Sequence, residues 1–69
     1  MTLEEVKKRL ADIEDTKWDD ESAHGKEDEL FYCFCEAVMN GKYSTIKEAS
    51  EVAKELYKVR DIDFARWCA

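Results

Sequence analysis

The chain has 69 residues, a hydrophobic content of 45% and a formal net charge of −6. A chain this short buries only about 60% of the surface that its unfolded form exposes, so we predict a single domain over residues 1–69. Proline is absent and glycine occurs twice, which favours helices over a turn-rich β fold. A core of this size usually needs a disulfide, a metal, a partner subunit or very good helix packing.

Cysteine content and hydropathy indicate the compartment. The three cysteines are an odd number, and the chain does not open on a secretory-type leader, so we expect a cytoplasmic protein with Cys33 and Cys68 as free thiols. The longest apolar run covers the six residues 30–35, whereas a membrane-spanning helix needs about 20. No membrane association is expected.

The first helix is predicted over about residues 3–14, because apolar residues recur there at alternating spacings of three and four. Thr2 and Glu5 form a capping box at its start. Residues 15–21 lack apolar periodicity and are predicted to form a loop. Trp18 is the single large apolar residue of that loop, and we interpret it as a lid on the core rather than a ligand platform.

The second helix is predicted to begin between Asp20 and Lys26 and to end at Asn40-Gly41, where glycine takes the left-handed conformation. The side that faces the core should contain Ala23, Leu30, Phe34, Ala37 and Val38, with Phe31 at its edge. Apolar residues also lie on its other sides, namely Tyr32, Cys35 and Met39. This helix should therefore contact two elements or a partner molecule, and we expect self-association, with a homodimer as the first interpretation.

The third helix is predicted from Thr45, which forms a second capping box with Glu48, to about Arg60. Its buried stripe should consist of Ile46, Ala49, Val52, Ala53, Leu56 and Tyr57.

Residues 61–69 are predicted to form one short helical turn, capped by Asp61 or Asp63, that docks through Ile62, Phe64 and Trp67. The predicted fold is thus an all-α three-helix bundle with a short C-terminal helical turn docked on it.

One polar cluster invites a chemical interpretation. His24, Glu27 and Asp28 have the (i, i+3, i+4) spacing that can bind a metal or share a proton. A metal site needs further inward-facing acids from other helices, which the pattern does not supply. We favour an acid-rich first turn stabilised by the helix dipole, and we predict no catalytic residue, no metal and no cofactor.

Glu27 projects into the apolar side of the second helix, so we expect its carboxylate to be at least partly buried. A buried carboxylate requires a partner. Candidates are His24, Arg66, a tryptophan indole or a free backbone amide. Arg66 is the leading candidate, because docking of the last stretch brings its guanidinium to the bundle, with His24 as an orienting neighbour. A structural bracket is favoured over a catalytic acid.

Charge is unevenly placed along the chain. Residues 1–29 hold eleven acids and five bases, and residues 30–69 hold six of each. Residues 12–29, the acidic segment, hold nine of these acids and two bases, and would repel a phosphate backbone. A solvated acidic loop that aids solubility has the same composition. The third helix begins with one lysine, Lys47, near two acids, which is a poor recognition helix. Nucleic-acid binding is therefore disfavoured.

Two strings, residues 23–30 and 62–69, contain the patterns AHxxED and DFxRWxA. They resemble small helical proteins encoded by bacteriophages and prophages, a group without an established biochemical activity. The resemblance implies a phage or bacterial intracellular setting. It singles out a candidate structural or binding cluster, which consists of His24, Glu27, Asp28, Phe64, Arg66 and Trp67.

The function that these observations favour is a non-enzymatic interaction protein of phage type, acting on a protein partner through its acidic segment and an apolar flank. One alternative is a nucleic-acid-associated regulator that works as an oligomer. A second alternative is a small metal-dependent hydrolase.

Overall fold

The computed structural model describes residues 1–66, which fold into three α-helices and a short 3-10 turn without any strand. The elements are α1 Leu3–Asp15, α2 Asp20–Met39, α3 Ile46–Tyr57 and the 3-10 turn Lys58–Asp61. α1 packs against both α2 and α3. The all-α bundle is therefore confirmed. Among the described residues, no helix combines the length and the hydropathy needed to cross a membrane.

Side-chain caps determine where the helices begin. The hydroxyls of Thr2 and Thr45 each accept a hydrogen bond, at 3.1 Å, from the backbone N–H three residues later. The threonine half of each predicted capping box is therefore present. α2 begins at the early limit of its predicted range, because the Asp19 carboxylate accepts from the backbone N–H of Ser22 at 3.3 Å and so satisfies a donor of the first turn.

The end of α2 is a Schellman motif. Gly41 has φ of +64°, its N–H donates to the Val38 carbonyl at 3.1 Å, and Lys42 N–H donates to the Ala37 carbonyl at 2.9 Å. Those two bonds satisfy carbonyls that lose their helical partners where the helix stops. The glycine stop predicted from the sequence is confirmed.

The C-terminal helical turn lies earlier than predicted. It continues directly from α3 over Lys58–Asp61, and residues 62–66 follow as irregular chain. Docking is nevertheless as expected, because Ile62 and Phe64 are both buried. Trp67, the third predicted anchor, lies outside the described residues.

The core is drawn from all four elements and from the irregular chain that follows them. Its buried members are Val6, Ile13, Ala23, Leu30, Val52, Leu56, Val59, Ile62 and Phe64.

Three residues expected in the core are exposed, and these predictions are wrong. Ile46 is 90% exposed, and Val38 and Tyr57 are also on the surface. Ile46 is the first residue of α3. Tyr57 keeps its ring at the surface, where its hydroxyl accepts a hydrogen bond from Arg60 at 2.7 Å. Helical projection gives the direction of a side chain but not whether another element lies opposite it.

Tyr43 joins the loop after α2 to the start of the chain. Its hydroxyl donates to the Met1 carbonyl at 2.7 Å, and its ring packs at a tilt against Phe34 with centroids 6.0 Å apart. Burial, with smaller contributions from the charges of Glu48 and Glu5, raises the pKa of the Tyr43 phenol. The protonated phenol is therefore the form that the fold favours.

The two glycines provide a matched pair of substitutions. We predict that Gly41→Ala destabilises the protein by about 1–2 kcal/mol, because alanine must adopt a left-handed conformation there. Gly25→Ala should stabilise it by about 0.5–1 kcal/mol, since Gly25 lies inside α2. A Cβ at either position meets nothing within 4 Å, so neither effect involves a clash. Urea unfolding measures the free energy of unfolding of both variants. Equal changes in the two would contradict the left-handed conformation of Gly41 and the helical conformation of Gly25.

We predict that Tyr43→Phe destabilises the protein by about 1 kcal/mol at neutral pH, through loss of the hydrogen bond to Met1. Because the folded-state pKa of the phenol is raised, the wild-type contribution is fully present below the ordinary phenol pKa of about 10 and disappears as the pH rises through the raised value. Thermal melts of both proteins across that range should show their stability difference shrinking. A constant difference would contradict the prediction.

Candidate functional site

Glu27 lies in the middle of the core-facing side of α2. The register that buries Ala23 and Leu30 also turns Glu27 inward, and the residue is only 9% exposed. A carboxylate in this position is costly unless donors compensate for the lost hydration. The prediction that Glu27 is buried is confirmed.

Arg66 is the partner of Glu27. Its Nε donates to both carboxylate oxygens, at 2.9 and 3.2 Å. The terminal nitrogens bind backbone carbonyls instead: Nη2 donates to Val59 at 2.9 Å and to Ile62 at 3.1 Å, and Nη1 donates to Phe64 at 3.3 Å. One guanidinium therefore joins α2, the 3-10 turn and the irregular chain after it.

The irregular chain has two further attachments. The Arg66 guanidinium lies over the Phe64 ring, 4.0 Å from its centroid, in a cation–π contact. The backbone N–H of Ala65 donates to the Asp20 carboxylate at 3.1 Å, which ties this segment to the first residue of α2. Phe64, Arg66 and Glu27 thus form one assembly, as the sequence indicated.

His24 and Asp28 are not part of that assembly. His24 Nδ1 lies 3.8 Å from an Asp28 carboxylate oxygen, beyond hydrogen-bond distance. The expectation that His24 orients Glu27 receives no support, because no hydrogen bond between the two is present in residues 1–66. Trp67, the last member of the predicted cluster, lies outside the described residues.

The Glu27–Arg66 assembly is suited to holding the chain rather than to chemistry. The Arg66 guanidinium donates its hydrogen bonds to the Glu27 carboxylate and to backbone carbonyls. Within residues 1–66, no group of three or more His, Cys, Asp or Glu side chains is arranged to hold a metal ion. We therefore interpret the pair as a structural bracket.

Sequence reasoning missed a contact of Cys33. The cysteine is a free thiol of intermediate burial, as expected, but Arg9 Nη1 lies 3.4 Å from its Sγ. Arg9 is 24 positions away on α1 and also pairs with Glu5 at 3.3 Å. No local pattern reveals a basic neighbour that arrives from another helix. Cys68 lies outside the described residues.

Trp18 is the main correction to the predicted site. Its side chain is 81% exposed, so it is not a lid on the core. The turn that carries it is well defined: the Thr16 hydroxyl donates to the Asp12 carbonyl at 2.9 Å, and Asp19 N–H donates to the Thr16 carbonyl at 3.0 Å. The indole projects from a hydrogen-bonded turn between two helices.

Acidic residues surround this indole in the sequence. The acids within four positions of Trp18 are Glu14, Asp15, Asp19, Asp20 and Glu21. Lys17 is the single base in that stretch, and it is paired with Glu14, which raises the pKa of the lysine. Asp63 lies near enough to Lys17 to add to that shift. We call Trp18, these five acids and Asp63 the acidic tip.

Protein-family models, curated protein sequences and solved structures give no match to this chain. The function is therefore argued from the geometry of its own residues.

We predict that Arg66→Ala destabilises the protein by about 2–4 kcal/mol. Breaking a buried pair costs about 3–5 kcal/mol and an exposed pair at most about 1, and Arg66 retains a partly exposed side chain. Arg66→Lys should recover less than half of the loss, because an ammonium cannot reach the carboxylate and three carbonyls together.

Replacing both members of the pair, Glu27→Leu with Arg66→Met, tests the structural interpretation. Removing both charges should recover much of the loss, but the carbonyls of Val59, Ile62 and Phe64 also lose a donor, so we expect partial recovery. Chemical denaturation gives the unfolding midpoints of the wild-type protein, Arg66→Ala, Arg66→Lys and the double variant. An Arg66→Ala protein that unfolds at the wild-type midpoint would contradict the bracket.

Proposed function

We propose that this chain is a non-enzymatic protein-interaction module of bacteriophage type, acting in the bacterial cytoplasm, and that the acidic tip is its recognition surface. The observation that carries the proposal is the exposed indole of Trp18 on an ordered turn. Tryptophan is among the residues that contribute most to binding energy at protein interfaces. Covering this indole removes on the order of 150 Å² of surface from water.

The turn holds the indole in a restricted position before any partner arrives. Thr16 closes the end of α1, and Asp19 caps the start of α2, so the backbone on both sides of Trp18 is hydrogen-bonded. A side chain on such a backbone loses less conformational entropy on binding than one on a free loop. This favours recognition over a role as a mobile linker.

The charge of the tip defines the chemistry of the partner. Lys17 is occupied by Glu14, so the remaining carboxylates set the potential around the indole. A basic protein segment fits this surface, because its lysines and arginines pair with the carboxylates and an arginine stacks on the indole. Attraction of this kind also accelerates encounter.

The same charge argues against a nucleic-acid regulator. Carboxylates at the tip repel phosphates instead of releasing their counterions. The start of α3 offers Lys47 beside the exposed Ile46 and the acid Glu48. A cleft of about 410 Å³ between the starts of α1 and α3 is lined by Lys42, Glu48 and Glu51 among others. Within residues 1–66, these acids do not belong to any group of three or more His, Cys, Asp or Glu side chains that could hold a metal ion. Neither alternative function gains a supporting observation.

We predict that Trp18→Ser weakens binding of a short arginine- and lysine-rich peptide by about 30-fold, the equivalent of a 2 kcal/mol contact. Fluorescence anisotropy of the labelled peptide measures the affinity. Met39→Ser is the matched control, because Met39 is equally exposed and lies at the other end of α2. Its affinity should stay within about twofold of wild type, since such a surface change removes no contact of the tip.

Two results would contradict the proposal. One is equal affinity of the Trp18→Ser and wild-type proteins for the peptide. The other is a duplex DNA that binds more tightly than the peptide and loses affinity steeply with salt, which would favour the regulator.

A further inference from the structure

α2 has a second apolar surface that no part of residues 1–66 covers. Its exposed fractions are 41% for Phe31, 65% for Tyr32, 51% for Val38 and 80% for Met39, and Cys35 between them is also exposed. We call these five residues the outer face of α2. Ile46, 90% exposed, extends it across the loop, because Val38 and Ile46 line the same shallow groove.

We infer that a second copy of this chain covers the outer face, with the two α2 helices antiparallel and crossing at Cys35. This inference concerns a surface separate from the acidic tip. The first argument is area. With Ile46, the exposed parts of the outer face amount to roughly 600 Å², at the upper limit for patches on monomers and close to the ~800 Å² per partner of a stable interface.

The second argument is symmetry. A two-fold interface brings the same surface of both copies together, so that surface must be self-complementary. Cys35 lies midway between Phe31 and Met39, and also midway between Tyr32 and Val38. In an antiparallel pair centred there, side chains on the same flank of the two helices meet, so Phe31 packs on Val38 of the second copy, and Tyr32 packs on its Met39. Each aromatic ring meets an aliphatic side chain.

The third argument is charge. One turn before the outer face, the same side of α2 carries Asp28. A parallel pair would place two Asp28 carboxylates together, which is repulsive. In the antiparallel pair, the two Asp28 carboxylates lie on opposite sides of the crossing point and are far apart. Antiparallel helix dipoles are also favourable where parallel ones are not.

Such a dimer presents two acidic tips in opposite directions. From Asp20 to Cys35, α2 rises about 22 Å, so the tips lie roughly 45 Å apart. A target with two basic segments at that separation would be held bivalently, and its second contact would be favoured by effective concentration. A monomer has one tip and lacks this property.

Sedimentation and oxidative cross-linking test the inference. At high micromolar concentration the wild-type protein should have twice the 8.1 kDa mass of the chain, and Met39→Glu should have the single mass. Trp18→Ser is the matched control and should remain a dimer. Circular dichroism confirms that each variant is folded, which is expected because both substituted residues are exposed.

Cross-linking tests the crossing point. A protein with Cys35 as its single cysteine, made by Cys33→Ser and Cys68→Ser, should form disulfide-linked dimers at least about tenfold faster than a control, because a disulfide needs Cα atoms within about 7 Å. The control carries the single cysteine at an exposed position of α3, through Lys54→Cys in a protein without other cysteines.

Three outcomes would overturn the inference. They are a monomer mass for the wild-type protein at high micromolar concentration, a Met39→Glu protein that stays dimeric, and equal cross-linking of the Cys35 and Lys54→Cys proteins. Each leaves peptide binding by the acidic tip intact, so failure of the dimer is distinct from failure of the proposed function. Loss of peptide binding in Trp18→Ser with the dimer retained would support both.

Discussion

Placing an acid on the core-facing side of α2 imposes a constraint that the last described residues satisfy. Glu27 needs a donor, and the Arg66 guanidinium supplies one while its other nitrogens bind the carbonyls of Val59, Ile62 and Phe64. The Ile62 and Phe64 carbonyls belong to irregular chain, whereas Val59 lies in the 3-10 turn and its carbonyl also accepts from Ile62 N–H at 3.1 Å. One side chain thus compensates a buried charge and ties the irregular chain to the 3-10 turn, which holds Phe64 in the core.

The same segment shapes the acidic tip. Ala65 N–H binds the carboxylate of Asp20, the first residue of α2, and the charge of Asp63 contributes to the raised pKa of Lys17. The chain that the bracket holds therefore lies against the turn that carries Trp18. The polar cluster suggested by the sequence is best understood as the support of the tip and not as the site itself.

Features that depend on one helix or one turn could be predicted from the sequence. The caps at Thr2 and Thr45, the left-handed Gly41 and the inward direction of Glu27 all follow from spacing and residue type. Pairing of Glu27 with Arg66 also followed, because burial demanded a donor and few were available.

Features that depend on what lies opposite a residue could not be predicted. Ile46 was assigned to the core and Trp18 was interpreted as a lid on it, yet no described element covers either residue. Likewise, Arg9 of α1 contacts Cys33 of α2, and the spacing of residues within one helix does not indicate this contact.

The outer face and the charge near the start of α2 follow from the composition of this helix along its length. Its first half carries acids and its second half carries aromatic and aliphatic residues on more than one side. A 20-residue helix in a bundle of three can bury one stripe against α1 and α3, and the remainder must face outward. Charge therefore accumulates at the turn before α2, and apolar surface accumulates near its end. Because electrostatic attraction is screened by salt and apolar burial is not, binding at the two ends of this one helix differs in its dependence on salt, and the two surfaces suit different occupants.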